Sequence, residues 1–147
     1  MITRPTTSRL VDLVRHELTE TVVPAVSDPE VRHRLRMIDH VLSMVAVRAE
    51  HEIDWMTADM AEIEKLASRI SIPAVREALA IFQAGRTNSL RASEVTDDHD
   101  RAAEILSRIL EAADTLPADV GETAERVLRG RLDHGVTVAG DFELVAR

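Results

Sequence analysis

The 147-residue chain is 45% hydrophobic and 30% charged, a balance that supports one globular domain and excludes a disordered tail. Its net charge of −8 argues against nucleic-acid binding, because phosphate neutralisation needs a clustered basic surface and every basic window here is interleaved with acids. The absence of cysteine excludes disulfides, thiolate metal sites and cysteine nucleophiles. An aromatic content of only 2% leaves a core of Leu, Val, Ile, Ala and Met, which suits helices packed on helices better than a β-sandwich.

In chain order, a first helix is expected over residues 6–22. Pro5 precedes it, Thr6 or Thr7 caps it, Leu10, Leu13, Val14, Leu18 and Val22 form its buried stripe, and Pro24 stops it. Ser27-Asp28-Pro29-Glu30 combines capping-box spacing with a proline in the first turn. The second helix then runs to about His51, and its aliphatic row is Val31, Leu35, Ile38, Leu42, Val45, Ala49 and Ile53. Asp54-Trp55-Met56-Thr57 reads as a corner, with Thr57 capping a third helix that uses Met60, Ile63, Leu66, Ala67 and Ile70.

Ser71-Ile72-Pro73 opens a fourth helix, carrying Val75, Leu79 and Phe82 and ending at Gly85. Residues 86–93 have weak periodicity and read as a loop. A fifth helix spans about 97–115, with Ala102, Ile105, Leu106, Ile109, Leu110 and Ala113 inward. Pro117 interrupts, and a sixth covers about 118–129. Val136-Thr137-Val138 and Phe142-Glu143-Leu144 alternate around Ala139-Gly140-Asp141, which suggests a small hairpin. Such a hairpin is marginal alone and has to dock on the bundle or on a second subunit. The fold class is therefore all-α, a single domain over 1–147 of five or six helices, with 136–147 as a docking arm. No apolar leader opens the chain and no segment approaches the ~18 apolar residues of a membrane span, so a soluble cytoplasmic protein is expected.

The most distinctive surface feature is a stripe of basic or titratable residues on the second helix, His33, Arg36, His40, Arg48 and His51. At about 100° per residue they fall within roughly 120° of one another, with Met37, Met44 and Val47 interleaved. Arg36, His40 and Arg48 compose a candidate pocket for a carboxylate, phosphate or acyl group, with the methionines as adaptable walls. The plainer reading, ion pairs with Asp39, Glu50, Glu52 and first-helix acids, is preferred because such pairs are common and small in energy.

His33 and His40 share a face and, with His16, Glu17 or Glu20, form the only candidate metal set. Glu30-x-x-His33 has di-iron spacing but occurs once, and Glu30 is accounted for by the capping box, so solvated surface histidines are the preferred reading. Glu94, Asp97, Asp98 and Asp100 lack the glycine and closing glutamate of a calcium loop and read as acids at a helix start. Asp98 and His99, being adjacent, diverge by about 100° on a helix and form no dyad with each other. No nucleophile elbow, phosphate loop or dinucleotide fingerprint occurs, and no cofactor is implied.

Arg4-Pro5-Thr6, Leu10, Val11, Val14, Leu18, Val23 and Pro24, followed by His33, Arg36, Leu42, Val45, Arg48 and Glu50, resemble a small uncharacterised bacterial helical-domain family of unknown function. The resemblance covers residues 4–50. Met37-Ile38 stands where that family has Val-Ala, His40 occupies its Asn position, and residues beyond Arg86 depart from its pattern. Genes of that family often lie near aminoglycoside-phosphotransferase-like kinases and acyl-CoA dehydrogenases, so the resemblance implies an accessory protein with such a partner. The expectation is a non-enzymatic interaction protein that forms a homo-oligomer, with no nucleic-acid or membrane partner. The alternative is a bundle that binds a small anion, an acyl group or a metal.

Overall fold

The computed structural model describes residues 4–87 and 89–140 of the chain. The described residues are all-α: five helices connected by turns and short loops, with no strand. They divide into two compact units, one on residues 4–52 and 135–140, the other on Ile53–His134. No helix among the described residues is long and apolar enough to cross a membrane.

Helix α1 (Thr7–Glu17) starts at Thr6, whose hydroxyl accepts from the Arg9 N–H at 3.4 Å. Pro24 does not stop the chain where the sequence suggested. The helix widens into an i→i+5 turn over Leu18–Val22, where the Val23 N–H reaches the Leu18 carbonyl, and continues through Val23–Ala25. A π turn is a recognised way to accommodate a local break in the i→i−4 ladder, and here it ends at Val22, two residues before Pro24, which lacks an N–H. The helical path ends at Val26, which is extended.

Helix α2 (Pro29–Ala67) is 39 residues long, about 58 Å. Its start follows the sequence reading, with one change of partner. The Asp28 carboxylate accepts from the N–H groups of Glu30 at 2.8 Å and Val31 at 3.4 Å, so Asp28 is the cap. The Glu30 side chain pairs forward with Arg34 at 2.5 Å. The corner expected at residues 54–57 is absent. No Gly or Pro occurs between Glu30 and Ala67, and Thr57 turns its hydroxyl back to the Ile53 carbonyl at 2.7 Å instead of capping a new helix.

Residues 53–134 contain the core. Here α2 meets α3 (Pro73–Gly85), α4 (Ala92–Glu111) and α5 (Ala118–Ala139), and Met56, Met60, Ile63, Leu66, Phe82, Ile105, Ile109 and Val127 are among the buried cluster. Of the inward positions expected for the third, fourth and fifth helices, most are buried and Leu79 and Leu110 are partly so. The fifth helix, however, runs over Ala92–Glu111 instead of 97–115, and Ala113 falls in a 3-10 turn outside the core cluster. Glu64 ties α2 to the end of α3, accepting from Gln83 at 2.7 Å and Arg86 at 3.0 Å.

The hairpin expected near the C-terminus is corrected by α5, which carries Val136, Thr137 and Val138 as helix; Phe142-Glu143-Leu144 lies outside the described residues. Gly140 explains the misreading. Its φ of 61° and the 2.9 Å bond from its N–H to the Val136 carbonyl make it a left-handed helix cap, a conformation that a turn glycine in a hairpin also adopts.

Asp28, which caps α2, and Thr57, within it, give opposite expectations on truncation. Asp28→Ala removes a cap and lowers stability by about 1 kcal/mol. Thr57→Ala loses no cap and leaves stability unchanged or raises it by up to ~0.7 kcal/mol through helix propensity. Urea unfolding of the two variants measures both; a Thr57→Ala loss as large as that of Asp28→Ala would contradict the uninterrupted helix.

Candidate functional site

Within the N-terminal unit, α1 and α2 are joined by polar contacts. Arg15 donates to Asp39 at 2.9 and 3.3 Å, and the Ser8 hydroxyl donates to Glu50 at 2.5 Å. An open groove of about 450 Å³ lies between these helices, lined by Arg9, Asp12, Ser43, Val47 and His51 among others. The covered side of α2 is therefore its Asp39, Ser43, Ala46 and Val47 side, and Ala46 is the one buried residue among 4–52.

The aliphatic rows assigned inward by the sequence lie largely outward in this unit. On α2, Val31 is 41% exposed, Ile38 50% and Val45 42%, and Ala49 is exposed, while Leu35 and Leu42 are half-buried. Ile53, the last of that row, belongs to the other unit and packs against its core; Val41, outside the row, is 54% exposed. Leu10, Leu13 and Val14 of α1 and Val22 in the following turn are exposed as well. The contact between α1 and α2 includes ionic and hydroxyl pairs, and much of both aliphatic stripes stays exposed.

The basic stripe falls at the edge of that uncovered face. His33, Arg36, Arg48 and His51 are exposed and His40 is half-buried. Arg48 pairs with Glu52 one turn on, as the ion-pair reading holds, but Asp39 is taken by Arg15 of α1. The grooves described here are not lined by Arg36, His40 or Arg48. Among the described residues, no three His, Asp or Glu side chains come together as metal ligands, and His33, His16, Glu17 and Glu20 are all exposed.

The Ile53–His134 unit holds polar groups that the sequence reading assigned differently. Asp98, 2% exposed, is no helix-start acid, because α4 begins at Ala92 and Asp98 lies in its second turn. It accepts from the Thr87 N–H at 2.9 Å, from the Thr87 hydroxyl at 3.0 Å and from Arg101, and so fixes the loop between α3 and α4. Burial pushes its carboxyl up, but the Thr87 and Arg101 hydrogen bonds and the Arg101 charge outweigh that and hold it below the ordinary 3.8.

At the next position on the same helix, His99 joins three helices: its Nε2 lies 3.4 Å from Asp59 Oδ2 on α2, and Arg131 Nε on α5 lies 3.9 Å from that oxygen. Trp55 of α2 stacks on His134 of α5 nearby, with ring centroids 4.5 Å apart and planes within 5°. His99 indeed does not pair with Asp98. The signal for both groups is helical spacing, since Val95 and Ala102 are buried and place residues 98 and 99 at the border of the core face. A further groove of about 240 Å³ collects Lys65, Arg69 and Arg126 beside Glu62, with Arg69 already paired to Asp119 at 2.5 Å.

Comparison with protein-family models, with curated proteins and with solved structures finds no match to this chain.

Burial, followed by the Arg131 charge, lowers the His99 pKa from 6.5, and Asp59 and Asp100 offset this only in part. The folded state therefore favours neutral imidazole. Its stabilising contribution is complete above pH 6.5 and declines as pH falls below that value towards the lowered folded pKa, above the window in which Asp98 titrates. Urea midpoints taken between about pH 7.5 and pH 5 are expected to fall more steeply for the native chain than for His99→Gln. Equal slopes would show that His99 is not the group responsible.

Proposed function

We propose that the protein is a non-enzymatic helical interaction protein that self-associates through the exposed aliphatic face of its N-terminal unit. The observation that supports this reading is the mismatch between composition and burial. Residues 4–52 carry one buried residue, Ala46, yet expose Leu10, Leu13, Val14, Val22, Val31, Met37, Ile38, Val41 and Val45. A helical pair covering so little of its own apolar surface needs a further layer. Exposed apolar surface on this scale ordinarily marks an interface.

The area is of the right order for a second copy. Nine aliphatic side chains, each about half exposed, amount to several hundred Å² per copy, comparable with the roughly 800 Å² per partner of a standard interface.

Sedimentation at tens of micromolar checks the proposal. The native chain is expected to sediment as a dimer, and Ile38→Glu with Val41→Glu as a monomer whose helical circular dichroism is largely kept by the core of residues 53–134. A native chain that is monomeric throughout that range would sink the reading.

A further inference from the structure

The exposed residues of α2 follow a heptad, and its charges say how a second copy lies. Val31, Ile38 and Val45 are seven apart and occupy one seam position, conventionally a; Arg34, Val41 and Arg48 occupy the other, d. Leu35 and Leu42 flank one side of this seam and Met37 and Met44 the other. The seam is thus aliphatic at its centre and carries an arginine in the d layer towards each end, and both arginines are exposed, Arg34 paired with Glu30 and Arg48 with Glu52.

We infer that α2 pairs with α2 of a second copy in antiparallel register, centred between Asp39 and His40; this rests on the self-association proposed above. In that register residue numbers facing one another sum to 79. Ile38 meets the partner's Val41, and Val41 meets the partner's Ile38, so the centre is two aliphatic layers. Arg34 faces the partner's Val45, and Arg48 faces the partner's Val31. An arginine stem covers a valine well while its guanidinium reaches back to Glu30 or Glu52 at the rim. Each end then holds two arginines and two glutamates, with no net charge.

Parallel pairing puts like against like. Arg34 shares a layer with the partner's Arg34, and Arg48 with the partner's Arg48, so two of the six seam layers place two cations face to face as they lose water. β-Branched residues at a suit parallel pairs, so Val31, Ile38 and Val45 do not argue for the antiparallel arrangement. The arginines at d decide it. The flanks agree, since Met37 falls beside the partner's Met44 and Leu35 beside the partner's Leu42, extending the apolar centre on both sides.

The chain has no native cysteine, so one spin label reads the register. Ala49 is exposed on α2 beside the seam. In Ala49→Cys, labelled and shown by sedimentation to be a dimer, antiparallel pairing separates the two labelled positions by roughly 28 Å along the helix axis, from 19 residues of offset. Parallel pairing leaves no axial offset. A pulsed-EPR distance centred near or above that separation is the expected result. A dimer with its labels at the shortest range overturns the antiparallel register and leaves self-association standing. A native chain that sediments as a monomer overturns both.

Discussion

The constraint on which the molecule depends is the continuity of α2. Thirty-nine residues without an internal Gly or Pro form one helix, and within each unit its helical phase sets the direction of the side chains. From Ile53 onward that phase delivers Met56, Met60, Ile63 and Leu66 to a core built with α3, α4 and α5. Before Ile53 it delivers Val31, Ile38, Val41 and Val45 to a side that α1 does not cover. The same local rule thus produces a filled seam in one segment and an open one in the other.

Why α1 leaves the seam open follows from the groups that join it to α2. Arg15 to Asp39 and Ser8 to Glu50 are contacts of charged and hydroxyl groups with partial solvent access, and pairs of that kind contribute little to stability while fixing orientation. They turn the Asp39 and Ala46 side of α2 towards α1. The aliphatic surface, which carries most of the available free energy of burial, is the part not used. In the Ile53–His134 unit the order is reversed: aliphatic burial comes first, and Asp98 and His99 sit at its border, satisfied by Thr87, Arg101 and Asp59. A buried carboxylate that holds a loop by three donors is costly to leave unpaired, which makes the conformation around Thr87 and Asp98 specific and not merely compact.

Much of this was legible in the sequence wherever periodicity and partner agreed. Met60, Ile63 and Leu66, then Val75 and Phe82, then Ile105 and Ile109, recur at helical spacing and are buried together. Local chemistry misled where one residue has two uses. Thr57 suits a cap and also bonds back to the carbonyl four residues earlier; Gly140 suits a hairpin turn and also a helix C-cap; Pro24 breaks a regular helix but is tolerated behind a π turn. Periodicity identifies an apolar face but not what covers it, so Val31, Ile38 and Val45 read as core from spacing alone. The Asp59, His99 and Arg131 group was hidden for a further reason: it is assembled from three helices, and no sequence spacing links its members.

In the self-association proposed above, the arginines within the seam would bear on how far association proceeds. An uninterrupted aliphatic stripe pairs in many registers and with many copies, because nothing in it distinguishes one alignment from the next. Placing Arg34 and Arg48 at d weakens the seam, but it removes the alignments that would bury arginine against arginine. In the antiparallel register the arrangement is isologous: the α2 surface offered by one copy is the surface it meets, so the α2 seam closes on itself. Charge interrupting an apolar face, which in a core would be a defect, would in the proposed pair make the surface selective for one partner in one orientation.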